Sequence, residues 1–473
     1  MANVYLDDKP ICYHCIDEPY LKREIKQAGK RVTCAYCSRR SKGIFIGDLA
    51  IRVDIAFSQH YTRKWDPDED PEEWPDGQPI IEAIRDAAGI PKEAAEDIRT
   101  ILDRDNYDPN LAYMGELQQY STKIWVEQIP PHAGYWQTQW SEYERILKTE
   151  SRYFSRSGIE LLNSVFRNVY DMETFDDESP LRLVGPGTSM TELYRARVFQ
   201  SDTALKTALS KPDKELGCPP AAFAVAGRMN APGISVFYGS NDPKLSLAEV
   251  RPAVGSKVAI AKFRIIRPLQ LLDLNALTKL VIHGSIFDSD YADELSRAMF
   301  LKSLSAKMTQ PVMPNDQSFE YLLTQSIADY LATEWHNMYD GIIFPSSQVE
   351  GESVNVILFH KAAKVEPVTH PKEAQIDVIT GYNDGEGWKM RYEINEIYPE
   401  QTTETDTGKS SEKSLIDMKR FFSEDHDDRK DSLAIDPDSI VIHTVKAVNI
   451  VTEPFPVKRQ RTVTTNKSIL KDE

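Results

Sequence analysis

The chain has 473 residues, of which 56 are Lys or Arg and 73 are Asp or Glu, so its formal net charge is −17 at pH 7. A single hydrophobic core rarely exceeds about 250–300 residues, so this length predicts more than one domain. The acidic balance argues against a general nucleic-acid-binding protein. The chain contains no apolar run of roughly 18 residues, so no membrane span is expected, and its start lacks the pattern of a signal peptide. We therefore expect a cytoplasmic protein with no membrane partner.

Two Cys-x-x-Cys pairs stand near the start of the chain, formed by Cys12 with Cys15 and by Cys34 with Cys37. Each pair can chelate one ion from a tight turn, and four thiolates complete a tetrahedral Zn²⁺ site that is closed and therefore structural. Two unrelated thiol pairs or a redox pair are the alternatives. We predict a zinc module over residues 1–64, with a helix at Asp17–Ala28 that stops at Gly29.

The predicted zinc module has an unusual charge balance, because residues 1–64 hold twelve Lys or Arg against seven Asp or Glu. Such a balance either marks a surface for nucleic acid or another partner, or belongs to an ordinary solvated face. We expect the solvated face.

The next segments are an acidic connector and a helical region. Residues 65–77 contain three prolines, seven acids and no base, which is typical of a solvated linker. Residues 78–178 are predicted to form a helical domain from the spacing of apolar residues and from proline at helix starts. The predicted helices are Pro79–Ala88, Pro91–Asp103, Trp140–Leu147 and Gly158–Asn168.

Residues 181–370 mix short strands with few crossover helices, which predicts an α+β domain. No Gly-x-Gly-x-x-Gly motif follows a strand, so a Rossmann-type NAD site is not expected. The predicted strands are Glu192–Phe199, Gly233–Tyr238, Lys257–Ile266, Leu269–Leu274, Gly341–Phe344 and Val354–His360. The predicted helices are Leu245–Val250, Asp290–Lys307 and Ser318–Trp335.

The end of the chain is predicted in three parts. Residues 371–437 are polar and charged, which indicates an insertion that is partly disordered. Residues 438–455 return to strand character and are interpreted as the last strand of the preceding domain. Residues 456–473 form a basic and mobile tail.

Three patches within 181–370 carry residues suited to chemistry on a phosphorylated sugar. Arg195 and Arg228 could grip phosphates, because the planar guanidinium group pairs with phosphate oxygens. Glu249 could stabilise positive charge that develops on a sugar. Tyr238 could stack on an aromatic ring, and Ser346 could hydrogen-bond ribose or carboxamide. Each residue alone also has an ordinary reading as a surface ion pair, a solvated acid, a core aromatic or a turn former.

Taken together, these patches resemble the RES family, which is named for an Arg, a Glu and a Ser. The matching stretches are Leu-Tyr-Arg-Ala-Arg at 193–197, Gly-Arg-Met-Asn at 227–230 running on to Ala-Glu-Val-Arg-Pro at 248–252, and Asp-Gly-Ile-Ile-Phe-Pro-Ser-Ser at 340–347. The resemblance implies a small ADP-ribosyltransferase-like fold that attacks NAD⁺. It assigns catalysis to Arg195, Glu249 and Ser346 and substrate binding to Tyr194, Arg228 and Tyr238.

Two neighbours leave the assignment open. Arg197 and Ser347 stand beside the assigned Arg and Ser. Strand alternation would put Arg195 and Arg197 on the same face, where both could reach a cleft.

The resemblance also extends to the first half of the chain. Some RES proteins carry a region similar to HEPN helical domains after a cysteine module. HEPN ribonucleases use an Arg-x(4–6)-His pair, and the only histidine between 78 and 175 is His132, in a Pro-Pro-His-Ala-Gly turn. Nuclease chemistry is therefore not expected here.

The resemblance implies a toxin-like NAD⁺ glycohydrolase or phosphorylase, acting in a toxin–antitoxin or phage-defence setting. The alternatives are a protein ADP-ribosyltransferase, or a zinc-ribbon and HEPN-like nucleic-acid-binding protein with an inert RES domain. The resemblance implies a helix-turn-helix antitoxin or another inhibitor as a partner. A second copy of the chain is a further candidate partner. Nucleic acid is not an expected partner.

Overall fold

The computed structural model describes residues 6–64, 77–130, 133–313, 315–334, 338–346, 351, 353–371, 373–398, 427–449 and 452–459. Residues 65–76 of the acidic linker, His132, Ser347, residues 401–426 of the polar insertion and most of the basic tail lie outside this set. In the described part of the chain, no helix is both long and apolar enough to cross a membrane.

The N-terminal elements form a small sheet with two helices. Their bounds are β1 (Pro10–Cys12), α1 (Pro19–Ala28), β2 (Lys30–Thr33), β3 (Arg40–Phe45), α2 (Ile46–His60) and β4 (Tyr61–Lys64). The sheet order is β1-β3-β2. Helix α1 begins two residues later than predicted, because Pro19 occupies its first turn and the Glu18 carboxylate accepts a hydrogen bond from the Leu21 amide. It ends before Gly29, as predicted.

The following elements share a hydrophobic core with the N-terminal ones. Their bounds are β5 (Gln78–Pro79), α3 (Ile80–Ala88), α4 (Lys92–Asp105), α5 (Pro109–Met114) and β6 (Trp125–Gln128). Strands β4 and β5 both pair with β6. One cluster of buried side chains runs from Ile11 through Leu49 and Ile98 to Val126. The burial therefore joins the predicted zinc module to the start of the predicted helical domain.

The remaining elements form the larger part of the molecule. The helices are α6 (Gly134–Thr149), α7 (Arg156–Phe166), α8 (Asp202–Ser210), α9 (Pro212–Glu215), α10 (Pro243–Glu249), α11 (Leu274–Leu277), α12 (Ser289–Thr309) and α13 (Gln317–Thr333). The strands are β7 (Glu173–Thr174), β8 (Leu181–Val184), β9 (Glu192–Phe199), β10 (Phe237–Ser240), β11 (Lys257–Ile265), β12 (Leu269–Asp273), β13 (Leu280–Val281), β14 (Gly341–Pro345), β15 (Val354–Leu358), β16 (Gln375–Asn383), β17 (Trp388–Ile397) and β18 (Leu433–Thr444). The mixture confirms the predicted α+β class.

A second cluster of buried side chains joins α6 and α7 to the later helices. Trp140 and Phe166 pack with Phe300 of α12 and with Tyr330 of α13. The predicted helical domain, 78–178, therefore contributes to two different cores. Its limits, like the other predicted domain limits, stay predictions.

Within the described residues, eight strands form one mixed sheet, here called the main sheet, in the order β18-β11-β9-β10-β15-β14-β12-β8. Neighbours are antiparallel except β12 and β14, which are parallel. The strand expected within 438–455 is present but begins earlier, at Leu433, and pairs with β11. Strands β16 and β17 form a hairpin inside the predicted polar insertion, so part of that insertion is ordered.

The two faces of the main sheet differ, and strand alternation decides which side chain reaches which face. Ser240 lies opposite both Tyr194 and Asn355 in the register, so these three side chains share one face with Tyr238. We call it the pocket face. The opposite face, the far face, carries Leu193, Phe237 and Val356, which belong to a separate buried cluster.

Candidate active site

A cavity of about 430 Å³ opens beside the pocket face. Its wall comes from β9, β10, α10, the loop before β10, the ends of α12 and α13, and the ends of β14 and β15. The lining side chains include a carboxylate, an amide, two tyrosines and two arginines: Glu249, Asn355, Tyr238, Tyr321, Arg228 and Arg251. This mixture of charge and aromatic surface suits a charged ligand that carries a ring.

Glu249 is the acid of the cavity, and among the described residues two side chains hold its carboxylate. The Ser346 hydroxyl donates to Glu249 Oε1 over 2.8 Å, and the Asn355 amide donates to the same oxygen over 2.7 Å. Glu249 is exposed at the end of α10, whereas Asn355 is buried on β15. The carboxylate is therefore oriented before any ligand arrives, as electrostatic catalysis requires. The structure thus brings the predicted Glu and Ser together.

Helix α10 keeps its position through a chain of buried hydroxyl groups. Ser246 of α10 donates to the Tyr194 carbonyl over 2.8 Å, and it hydrogen-bonds Ser240 over 2.6 Å. The helix begins sharply because Asp242 accepts from the Lys244 amide and Pro243 occupies its first position. These contacts fix the end of the helix, and therefore Glu249, against β9 and β10.

The Gly-Arg-Met-Asn loop forms a second wall and is held by Tyr238. The Tyr238 hydroxyl donates to Asn230 Oδ1 over 2.9 Å and accepts from the Met229 amide over 3.1 Å. A Cβ on Gly227 would lie 2.6 Å from both the Tyr238 hydroxyl and Asn230 Oδ1, so only glycine fits there. Burial raises the pKa of Tyr238, which keeps its hydroxyl protonated as a donor. Tyr238 lines the cavity and also shapes this loop.

Arg228 lies at the cavity wall, as the phosphate-binding prediction requires, but it already has partners. Its Nη1 atom donates to the carbonyls of Met308 and Gln310 over 2.9 and 2.7 Å. Its guanidinium carbon lies 5.4 Å from the Tyr321 ring centroid. Within the part of the chain that the structure describes, the remaining donors of the fork have no hydrogen-bond partner.

Arg195 borders the cavity, but its guanidinium group points to the far face. It donates to the carbonyls of Leu216 and Gly217 and lies 5.7 Å from the Phe237 ring centroid. Burial lowers the pKa of Arg195. Arg197 lies on the same face, as alternation predicted, and donates to Glu215 Oε2 over 3.0 Å. The structure therefore does not bring either guanidinium group to Glu249.

Tyr194 lies on the pocket face but is not part of the cavity wall. Its hydroxyl donates to Glu192 Oε1 over 2.8 Å, and this hydrogen bond raises the pKa of Tyr194. Its ring packs against the small cluster under α10, beside Ala196 and Ile260. Tyr194 therefore supports α10 in this structure.

Three cavity residues were not singled out from the sequence: Asn355, Arg251 and Tyr321. Asn355 interrupts an apolar strand, Val-Asn-Val-Ile-Leu, and a buried polar residue in such a strand is a usable signal. Arg251 follows Glu249 closely, has a left-handed backbone with φ of 43° and is exposed. No described residue hydrogen-bonds or pairs with its side chain. Arg251 lies inside the matching Ala-Glu-Val-Arg-Pro stretch, but that stretch assigned no role to it.

The four predicted cysteine ligands form a separate cluster in the N-terminal part. Their sulfurs all lie within 4.8 Å of one another, with Cys12 to Cys37 at 3.5 Å and Cys15 to Cys34 at 3.8 Å. Tetrahedral Zn–S bonds of about 2.3 Å put sulfurs about 3.8 Å apart, so the cluster fits a metal ion. A backbone hydrogen bond from Arg39 lowers the pKa of Cys37 to about 7, while burial raises the pKa of Cys12.

Comparison with known proteins identifies the region around the cavity. Residues 192–377 match the family model described as the RES domain, and RES domains are associated with NAD-processing enzymes. Neither the curated proteins nor the solved structures contain a match to this chain. The matched range includes every cavity residue discussed above, so the predicted resemblance is confirmed for this region.

Proposed function

We propose that the RES domain, which this chain carries at residues 192–377, splits NAD⁺ at the bond between nicotinamide and ribose. The observation that supports this most is the Glu249 carboxylate, held by Ser346 and Asn355 at the wall of a cavity that Arg228 and Arg251 also line. A fixed negative charge beside fixed positive charges suits a substrate with a cationic ring and two phosphates.

The reaction builds positive charge on the ribose. The bond from the ribose carbon to the nicotinamide nitrogen breaks, and its electron pair leaves with neutral nicotinamide. Glu249 stabilises the sugar cation that remains, as carboxylates do in glycoside hydrolysis. An acceptor oxygen then bonds to the same carbon and releases its proton. Water as acceptor gives ADP-ribose, and phosphate gives ADP-ribose phosphorylated on the ribose.

We assign different cavity residues to different parts of the substrate. Arg251, which is exposed, and Arg228, whose Nη1 atom alone donates to described residues, are assigned to the two phosphates. Tyr238 and Tyr321 are assigned to the wall against which the nicotinamide ring packs. Arg195 is assigned to the support of the loop at Leu216 and Gly217, and not to the phosphates.

Identification of products from purified full-length protein tests this proposal. NAD⁺ labelled in the adenine part is incubated with protein in the presence and absence of phosphate, and products are separated by chromatography and mass spectrometry. We expect free nicotinamide together with ADP-ribose or its phosphate. Label that appears on protein would favour the transferase alternative, and unchanged NAD⁺ would contradict the proposal.

We also propose that the cysteine cluster holds one structural Zn²⁺ through Cys12, Cys15, Cys34 and Cys37. Four thiolates leave no position open for a reacting group, so the ion would stabilise the fold and take no part in the NAD⁺ reaction. Metal analysis of purified protein should find about one zinc per chain. Protein with well under one equivalent and four freely alkylated thiols would contradict this.

A further inference from the structure

The N-terminal part of the chain carries positive charge that its own acids do not neutralise. Asp7, Asp17 and Glu24 are already paired with Arg104, Lys22 and Arg52. Six exposed cations form no side-chain hydrogen bond or ion pair with any described residue: Arg23, Lys26, Lys30, Arg31, Arg39 and Arg40. This concentration contrasts with the net charge of −17 for the whole chain.

Three of the cations in this part lie together on one face of the β2–β3 hairpin. In the register, Arg31 lies directly opposite Lys42, and Thr33 lies opposite Arg40. Residues two apart on a strand share a face, so Arg31, Thr33, Arg40 and Lys42 form one surface, here called the basic ribbon. Like charges directly opposite each other destabilise a sheet. The fold alone therefore gives no reason for this arrangement.

The end of α1 extends the basic ribbon. Lys42 donates to the Gln27 carbonyl over 2.7 Å, which places the last turn of α1 beside the hairpin. The preceding residue, Lys26, is exposed and lies 5.9 Å from the Tyr13 ring centroid. The Tyr13 ring is in turn 4.0 Å from the His14 ring, so an aromatic surface adjoins the cations.

We propose that the basic ribbon binds the phosphate backbone of a nucleic acid. Phosphate backbones are recognised by clustered Arg and Lys side chains, with hydroxyl groups as additional donors. The ribbon offers the guanidinium groups of Arg31 and Arg40, together with the Lys42 ammonium group and the Thr33 hydroxyl. The adjoining Tyr13 and His14 rings suit unstacked bases, which favours single strands.

The composition of the ribbon argues against a lipid surface. Membrane-binding elements combine cations with large apolar side chains that insert between lipids. On β3, Phe45 lies on the face opposite Arg40 and Lys42, and the exposed Ile51 and Ile55 lie on α2. The net charge of the chain, which argued against a general nucleic-acid binder, does not describe the field at one face.

Fluorescence anisotropy with full-length protein and a labelled single-stranded oligonucleotide of about 20 nucleotides tests the proposal, with salt varied from about 50 to 200 mM. Binding should weaken steeply as salt rises. The double substitution Arg31→Glu/Arg40→Glu should lower the affinity about tenfold or more and reduce the salt slope by at least about 1. Arg152→Glu/Arg156→Glu changes the net charge equally at exposed positions elsewhere and should leave binding unchanged.

Three results would overturn the proposal. These are no oligonucleotide binding at the lowest salt, equal binding by Arg31→Glu/Arg40→Glu and wild type, or binding of anionic vesicles in place of the oligonucleotide. Should the charge reversal fail to fold, Arg31→Gln/Arg40→Gln removes the same two contacts more gently and answers the same question. NAD⁺ turnover plays no part in the readout, so failure here is independent of the proposed reaction.

Discussion

The two faces of the main sheet place the predicted catalytic residues in different surroundings. On the far face, Arg195 is half-buried and its Nη1 atom donates to the carbonyls of Leu216 and Gly217. On the pocket face, Glu249 is exposed and held by Ser346 and Asn355 at an open cavity. Of the three residues that the family resemblance assigned to catalysis, Glu249 lines the cavity and Ser346 holds its carboxylate. The guanidinium group of Arg195 instead contacts a loop on the other face.

The largest effect is expected from Glu249→Gln. The amide keeps the shape of the side chain but removes the charge that stabilises the ribose cation, which typically costs about 10²–10³ in turnover. Steady-state rates of NAD⁺ cleavage measure the loss, with the exposed Glu160→Gln on α7 as the matched control. Full turnover by folded Glu249→Gln would contradict a role for this carboxylate, and with it the assignment of the reaction to the pocket face.

Arg251→Ala should have the next largest effect. The exposed guanidinium group is assigned to a phosphate, and a charged hydrogen bond contributes about 1.5–3 kcal/mol, or roughly tenfold to a hundredfold in KM. Inhibition by ADP-ribose should weaken in parallel, because the product keeps both phosphates. The control is Arg264→Ala on β11, also exposed. An unchanged KM would mean that Arg251 does not contact the substrate.

Ser346→Ala should be milder. Its hydroxyl is one of the two side-chain donors to Glu249 that the described residues supply, and Asn355 still holds the carboxylate when it is removed. A neutral hydrogen bond contributes about 0.5–1.5 kcal/mol, so kcat should fall roughly twofold to tenfold. If the two donors share the task, Ser346→Ala/Asn355→Ala should lose more activity than the two single changes combined. Simple additivity would contradict that sharing.

Arg195→Ala should have the smallest effect on activity and a clear effect on stability. Removing the guanidinium group leaves the carbonyls of Leu216 and Gly217 without their donor, at a cost of about 1–3 kcal/mol. Thermal unfolding should shift down, while kcat/KM of the folded protein should change less than tenfold, roughly. A large rise in KM with an unchanged Tm would mean that Arg195 contacts the substrate, and it would contradict the contrast between the two faces.

Much of the fold could be predicted because its signals are local. The alternation in Glu192–Phe199 gave the bounds of β9, and helix and strand signals gave α12, α13 and β11 within a few residues. The cysteine cluster could also be predicted, because each thiol pair lies in one short turn and only the two turns have to come together.

The site was harder to predict because it depends on contacts distant in sequence. Alternation correctly put Arg195 and Arg197 on one face, but nothing local says which face borders the cavity. That choice follows from where α10 packs, through the Ser246 hydroxyl on the Tyr194 carbonyl. Asn355 was missed because its partner, Glu249, lies on a different element. Arg251 was missed because its direction depends on a left-handed backbone.

The edge strands of the main sheet have a consequence for any shortened version of this protein. The family match at 192–377 contains the interior of the sheet but neither β8 nor β18, which lie at its two edges. β18 carries Pro437 between Asp436 and Asp438, and its pairing with β11 shifts register at Ile260. Proline, charge and irregular pairing are the devices that keep edge strands from pairing with other chains. A fragment cut at the family limits would expose β11 and β12 instead, and we expect it to aggregate.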